Sequence, residues 1–466
     1  MIANGVRLKG GVLFILASLV LSMGMAAAQS DSSQSTTVNQ HGSQSVQAPA
    51  PTPFDSFANP EHLFGDWGGV RTDLGRLGIN ILFDYTSESA GNVSGGTRRA
   101  LDYADQRALE VDIDWQKLAG ITGFSTHMVA VNRAGNNTSA AFGDNLMPVQ
   151  EIYGAGGDVA VHLVEIYGEE ALMGGRLDIA AGYFPVGNDF GASPLNCNFM
   201  NNGLCGNPKE LSGGNNGFSA WPDATLGGRV RVKPTTETYL QVGVFGVDPY
   251  LYTVPQDRTG WQIDASQYNG VEVPVEAAWE PSFGPDHLIG HYKLGFGYNS
   301  APYASFESSI PGADGPEKRD RWQFWALFDQ MLIRQGEGDD AGLIGMLGYM
   351  HSNPSTIVYQ DEAYVGLLDQ GFWKARPQDT IGLLFIYQKI SGDLTSAQQI
   401  EQAYGVPYSN DATGVQTNEE ILEANYDIHV YRGVSLMPDF QYVMHPNAQT
   451  SIANAVVLGL KAHVEF

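Results

Sequence analysis

The chain closes on V-V-L-G-L-K-A-H-V-E-F, residues Val456 to Phe466. Val456, Leu458, Leu460, Ala462, Val464 and Phe466 keep a strict two-residue period, with Gly459, Lys461, His463 and Glu465 between them. Successive side chains of a strand point to opposite faces, so one face here is oily and the other polar. The segment is long enough to cross a bilayer at a tilt, and it ends on an aromatic. A soluble sheet can supply one such strand. Here the pattern recurs along the chain behind an export signal, and a spanning chain must satisfy its backbone internally. That combination points to an all-β fold, a transmembrane antiparallel β-barrel.

The export signal is local and legible. Arg7 and Lys9 precede an apolar run from Val12 to Met25, and Ala26-Ala27-Ala28 follows. This is the charged, apolar and small-residue order of a secretory signal peptide. The apolar run is shorter than the ~20 residues of a spanning helix. Residues 1–28 are therefore expected to be removed after Ala28. Later apolar runs, such as Ile381 to Tyr387, are strand-sized. An alternating barrel averages its polarity, so 43% hydrophobic residues are compatible with membrane insertion.

The sequence holds 25 basic and 51 acidic residues, a net charge of -26. Loss of Arg7 and Lys9 leaves 23 against 51, or -28. Such a chain does not bind nucleic acid through backbone phosphates. Acid in long outer loops suits a cell surface that binds divalent ions, and it also serves plain solubility. The two cysteines, Cys197 and Cys205, share one Asn/Gly-rich stretch. In an oxidising compartment they are expected to form a short local disulfide. Their spacing is not C-x-x-C and no histidine cluster lies near, so neither a metal nor a cofactor is expected.

Residues 29–53 form a Gln/Ser/Thr/Pro tract that cannot bury a core and are read as a disordered leader. Residues 54–78 are expected to form a short helix or turn that packs at the periplasmic mouth. The barrel domain runs from 79 to 466. Sixteen strands are predicted, near 79–86, 108–115, 123–133, 160–170, 176–184, 225–233, 238–247, 271–280, 290–299, 321–330, 342–351, 361–369, 380–389, 421–430, 434–444 and 455–466. Those near 123 and 361 alternate weakly. Rows such as Glu110, Asp112 and Asp114 against Leu109, Val111 and Ile113 fit a wet lumen and a lipid-facing exterior. The first, third, fifth and seventh connections read as long, and the second, fourth and sixth as short. Short periplasmic turns and long extracellular loops would produce that asymmetry.

Four segments carry a resemblance. They are L-F-G-D-W-G-G-V-R-T-D-L at Leu63 to Leu74, A-L-F-D-Q-M-L at Ala326 to Leu332, A-R-P-Q-D at Ala375 to Asp379, and L-M-P-D-F-Q-Y-V-M-H-P at Leu436 to Pro446. In this order they resemble the carbohydrate-selective porins of Gram-negative outer membranes (the OprB type). The resemblance implies a sixteen-stranded barrel through which sugars diffuse to the periplasm, narrowed by inward-folded loops. Asn447-Ala448-Gln449 stands where the family pattern has glycines. That departure is expected to fall on a surface loop.

A sugar offers many hydroxyls and an apolar C–H face. Its site needs paired donors and acceptors and an aromatic platform, and binding must stay weak. Arg229, Arg231 and Lys233 form the sharpest inward basic row, just after the long 185–224 connection that ends with Trp221. Trp221 is expected to be the platform and the two arginines hydroxyl donors. The bland alternative is that they only balance Glu110, Asp112, Asp114 and Glu165. Glu110, Asp112, His291 and Lys293 are further lumen candidates. Tyr183, Phe184, Tyr298, Tyr442 and Phe466 read as an interfacial girdle.

The expected partners are small carbohydrate solutes, outer-membrane lipid and lipopolysaccharide, and the barrel-assembly machinery acting on the last strand. No G-x-S-x-G or H-E-x-x-H occurs, so no catalytic residue is assigned. The competing readings are a general porin without a sugar site, an outer-membrane barrel enzyme, and a secreted all-β binding protein.

Overall fold

A computed structural model of the chain describes residues 62–152, 159–252, 259–308, 310–336, 338 and 340–466. The proposed signal peptide, the leader and the first part of the 54–78 segment lie outside the described residues.

Sixteen strands close into one antiparallel barrel among the described residues. They are β1 (Ile79–Ser94), β2 (Leu101–Asp114), β3 (Phe124–Gly135), β4 (Val159–Leu172), β5 (Leu177–Phe184), β6 (Thr225–Val232), β7 (Thr238–Val247) and β8 (Gly270–Trp279). There follow β9 (Leu288–Asn299), β10 (Arg321–Arg334), β11 (Gly342–Ser352), β12 (Tyr359–Gln370), β13 (Thr380–Ile390), β14 (Asn418–Tyr431), β15 (Val434–Met444) and β16 (Ala455–Glu465). Each pairs with the next in sequence, and β16 pairs with β1 from Asp84↔Glu465 to Ser94↔Val456. Closure removes the two edges that an open sheet would leave unpaired.

The alternation is inside-out relative to a soluble protein. Leu240, Leu294, Leu347, Val365, Leu383 and Leu458 are exposed, on the face that meets lipid. Glu88, Gln241, Glu276, Glu362, Glu423 and Lys461 face inward and are buried.

The connections differ from expectation in one place. The first is only 95–100, because β1 and β2 run on through Ser89–Ser94 and Leu101–Ala108, where small and polar residues blur the pattern. The 136–158, 185–224, 248–269, 300–320 and 391–417 connections are long and share one end of the barrel, while 173–176, 233–237 and 432–433 are short and share the other.

The lumen is not uniformly wet. The 185–224 loop folds inward and is welded to the wall by apolar contacts. Phe190, Phe199, Met200, Leu204, Leu211 and Phe218 from the loop join one buried cluster with Trp325, Met346, Met350, Tyr364, Leu384 and Val457 from the strands. Phe184 belongs to this cluster and Tyr183 is also buried, so neither sits in an interfacial girdle.

At the short-turn end, the helix Val70–Arg76 packs beside the seam. Leu63 N–H donates to Glu465 O at 2.8 Å, and the Phe64 and Phe83 rings flank Phe466 at 5.4 and 5.2 Å. The Asn447-Ala448-Gln449 turn is buried rather than a surface loop. Asn447 and Ala448 take φ of 59° and 56°, where glycine is the ordinary residue, and Thr417 N–H donating to Ala448 O at 2.8 Å helps hold them.

Candidate solute-binding site in the lumen

Strands β5 and β6 are short because the chain leaves the wall at Phe184 and returns at Thr225. The loop between them crosses the lumen and hangs from carboxylates on strands far away in sequence. Gly191 N–H donates to Glu276 Oε2 at 2.9 Å, Glu210 N–H to Glu362 Oε2 at 2.8 Å, and Met200 N–H to Glu423 Oε1 at 2.5 Å. The 136–158 loop does the same, with Ile152 N–H on Glu88 Oε2 at 3.1 Å. The two loops meet where Asn202 N–H donates to Pro148 O at 2.8 Å. Single inward carboxylates thus satisfy main-chain donors that the crossing would otherwise leave buried and unpaired.

Arg229 and Arg231 lie two apart on β6 and share a face. Arg229 contacts three carboxylates: Glu169 at 2.8 Å, Asp189 at 3.0 Å, and Asp178. Arg231 donates to Asp189 Oδ1 at 2.9 Å and to Gln241 Oε1 at 2.8 Å, and its guanidinium lies 5.0 Å from the Tyr239 ring centroid. Asp189, at the end of the short Val186–Asp189 helix of the loop, therefore bridges both arginines. Burial pushes its carboxyl up to about 6, Arg231 opposes the shift, and Glu169 and Glu276 add to it.

The predicted residues fall into separate places. Arg229, Arg231 and Lys233 form one row, but the acids that pair with its two arginines are Glu169, Asp178 and Asp189 rather than Glu110, Asp112 and Asp114. Trp221 is 4% exposed, packed on Ala108, Val129, Val131 and Val164, with its indole Nε1 on Gln106 Oε1 at 3.4 Å. It fastens the loop to β2–β4 and offers no free ring face to a solute. Glu110 and Asp112 lie lower on β2, where Asp112 Oδ1 is 2.6 Å from His127 Nδ1. His291 Nδ1 is 2.5 Å from Asp329 Oδ1, and Lys293 Nζ donates to Ala192 O at 2.8 Å at the start of the loop. Cys197 and Cys205 are joined as a disulfide within the loop. Arg376 and Asp379 pair across a short-end turn at 2.6 Å.

Glu169 and Asp189 were not singled out in the sequence. Alternation with Leu177 and Ile179 turns Asp178 inward, and the β5–β6 register sets it opposite Arg231 and diagonal to Arg229. Asp189 lies in a loop with no period, so its sequence position carried no sign of where it would sit.

The model of the carbohydrate-selective porin family OprB matches residues 98–466. Porin B of Pseudomonas aeruginosa is 28% identical over 425 residues, covering 88% of this chain and 92% of that one. The putative porin QuiX of Acinetobacter baylyi is 26% identical, covering 87% of this chain and 93% of its own. A solved structure of Pseudomonas putida OprB, at 28% identity, superposes with a TM-score of 0.79 over 87% of this chain and 98% of that one. Family and fold point to a channel rather than an enzyme. The chain belongs to the OprB family of carbohydrate-selective porins and is a sugar-preferring channel of the Gram-negative outer membrane.

Proposed function

We propose that neutral sugars move passively past the β5–β6 wall and are recognised there by Arg231 and Lys233 as hydroxyl donors and by Glu169 and Asp178 as acceptors. The observation that carries this is the bridge from Asp189 to both arginines, which fixes a row of opposed charges beside the inward loop. Arg229 is 3% exposed and spent on three carboxylates, so it acts as the post that holds the row. The Arg231 side chain keeps 15% exposure toward the lumen. Weak, multidentate contacts with such groups let a sugar enter and leave again. His291 and Lys293 set the field beside the row, Glu110 and Asp112 lie on the wall beyond it, and Trp221 positions the loop. The chain performs no chemical step on the solute.

The same reading extends to biogenesis. Residues 1–28 are cleaved after Ala28 on export, the assembly machinery engages β16, and the finished exterior meets lipid and lipopolysaccharide.

The test is Arg231→Ala alone and with Arg229→Ala in planar bilayers. Both variants are expected to shift ion selectivity toward cations, and both are expected to weaken sugar block of the ion current. Shifted selectivity with wild-type sugar block would reduce the row to a field-setting element and support the general-porin alternative for this wall.

A further inference from the structure

The short-turn mouth holds a half-enclosed cavity of about 310 Å³ between the N-terminal segment and the inner wall of β1 and β2, lined among others by His62, Trp67, Arg71, Asn80, Glu110 and Asp112. That volume is at the lower end of the range for small-molecule sites. The groups are those that a sugar needs: one indole, one guanidinium, one amide and two carboxylates. They come from the segment that carries the Val70–Arg76 helix and from the β1–β2 hairpin that follows it.

The cavity walls are held in place. The Arg71 guanidinium lies 4.3 Å from the Trp67 ring centroid, and it donates to Phe466 O at 2.5 Å and to Ile81 O at 3.3 Å. Asp66 accepts from Thr72 N–H at 2.7 Å and from its hydroxyl at 2.8 Å, which fixes the turn leading into the helix. Asp112 is held by His127 at 2.6 Å, and the His127 ring stacks on Tyr167 at 4.7 Å. Trp67 has φ of 49°, a left-handed conformation that costs a bulky residue energy. An indole kept there at that cost faces the cavity, not a packed core.

We infer that this cavity is a second carbohydrate subsite, on the exit side of the channel and sized for a monosaccharide, with Trp67 and Arg71 forming one wall and Asn80, Glu110 and Asp112 taking the hydroxyls. It rests on the sugar-channel reading and lies apart from the Arg229–Arg231 row. A solute leaving the inward loop meets it last. Two weak sites in series divide the descent into the periplasm into shorter steps, the arrangement that lets a pore bind without trapping.

The test uses purified full-length barrel, with glucose and maltotriose as probes. Glucose is expected to change tryptophan fluorescence saturably, with the change lost in Trp67→Phe and weakened several-fold in Glu110→Gln, and maltotriose is expected to bind there more weakly than glucose. In bilayers, Trp67→Ala is expected to shorten glucose residence about fivefold, the size of a lost aromatic contact, while the Arg231-dependent part of the block persists. Glu110→Gln, which leaves the helix and the seam untouched, serves if Trp67 variants do not insert. A glucose-dependent signal unchanged in both Trp67→Phe and Glu110→Gln overturns the subsite. Absence of any sugar block in the wild-type channel would instead overturn the reading on which it rests.

Discussion

The Arg71 guanidinium donates to the main-chain oxygen of Phe466 at 2.5 Å. The first described helix is thereby fastened to the last residue of the chain, beside the β16–β1 seam that closes the barrel. Deleting Phe466 is expected to lower the amount inserted into the outer membrane while leaving the conductance of inserted molecules close to wild type. Arg71→Ala is expected to cost about 1–2 kcal/mol, the range of a partly exposed charge-assisted hydrogen bond. Urea unfolding from lipid vesicles measures the second, and heat-modifiable electrophoretic mobility the first. Normal insertion with altered conductance would reverse the assignment.

The Cys197–Cys205 bridge closes a separation of 8 residues inside the inward loop. A short closed loop removes little unfolded-state freedom, and the barrel wall does not depend on it. Cys197→Ser is expected to cost about 2 kcal/mol locally, with no change in strand content. Thiol counting on denatured, non-reduced protein should find no free thiol.

Glu423 accepts from the N–H groups of both Met200 and Asn201, at 2.5 and 3.2 Å. Glu423→Ala leaves two buried donors unmet, at a cost of about 1–3 kcal/mol, and is expected to loosen the middle of the loop crossing. Open-channel current noise should rise and sugar block should weaken. Unchanged noise would mean that the apolar cluster alone holds the loop.

Asp144 lies in the 136–158 loop, and burial pushes its carboxyl up to about 6, against the opposing N–H groups of Leu146, Met147 and Asn447 and the side chain of Glu419. A carboxyl raised on folding favours the packed state when protonated. Its contribution is fully present below the ordinary value of 3.8 and is lost as pH rises through about 6. Hydrogen exchange across residues 138–150, corrected for intrinsic rate, should show more protection at about pH 5 than at about pH 7.5, and Asp144→Asn should abolish the difference.

The barrel was readable because lipid and lumen impose opposite polarity on alternate residues of each strand. The same rule accounts for the places where the reading failed. The two strands that alternated weakly are those under the inward loop: β3 turns Val129 and Val131 to Trp221, and β12 turns Tyr364 and Leu368 into the main apolar cluster. With oil outside and oil inside, the period fades. The position of the basic row followed from spacing. Its partner Asp189 did not, because the path of a loop across a lumen is set by contacts with strands hundreds of residues away, as between Met200 and Glu423. Trp221 was misread for the same reason: a tryptophan at the end of a lumen loop can face the solute or the wall, and only packing decides.

The most direct test of the central claim is single-channel conductance of the purified protein in a planar bilayer, titrated with neutral sugars of increasing length. A sugar-preferring pore predicts saturable block of the ion current at fixed salt, differing between sugars of equal viscosity and weakened in Arg231→Ala. Current that falls only in proportion to bulk viscosity, equally for every sugar, would contradict it.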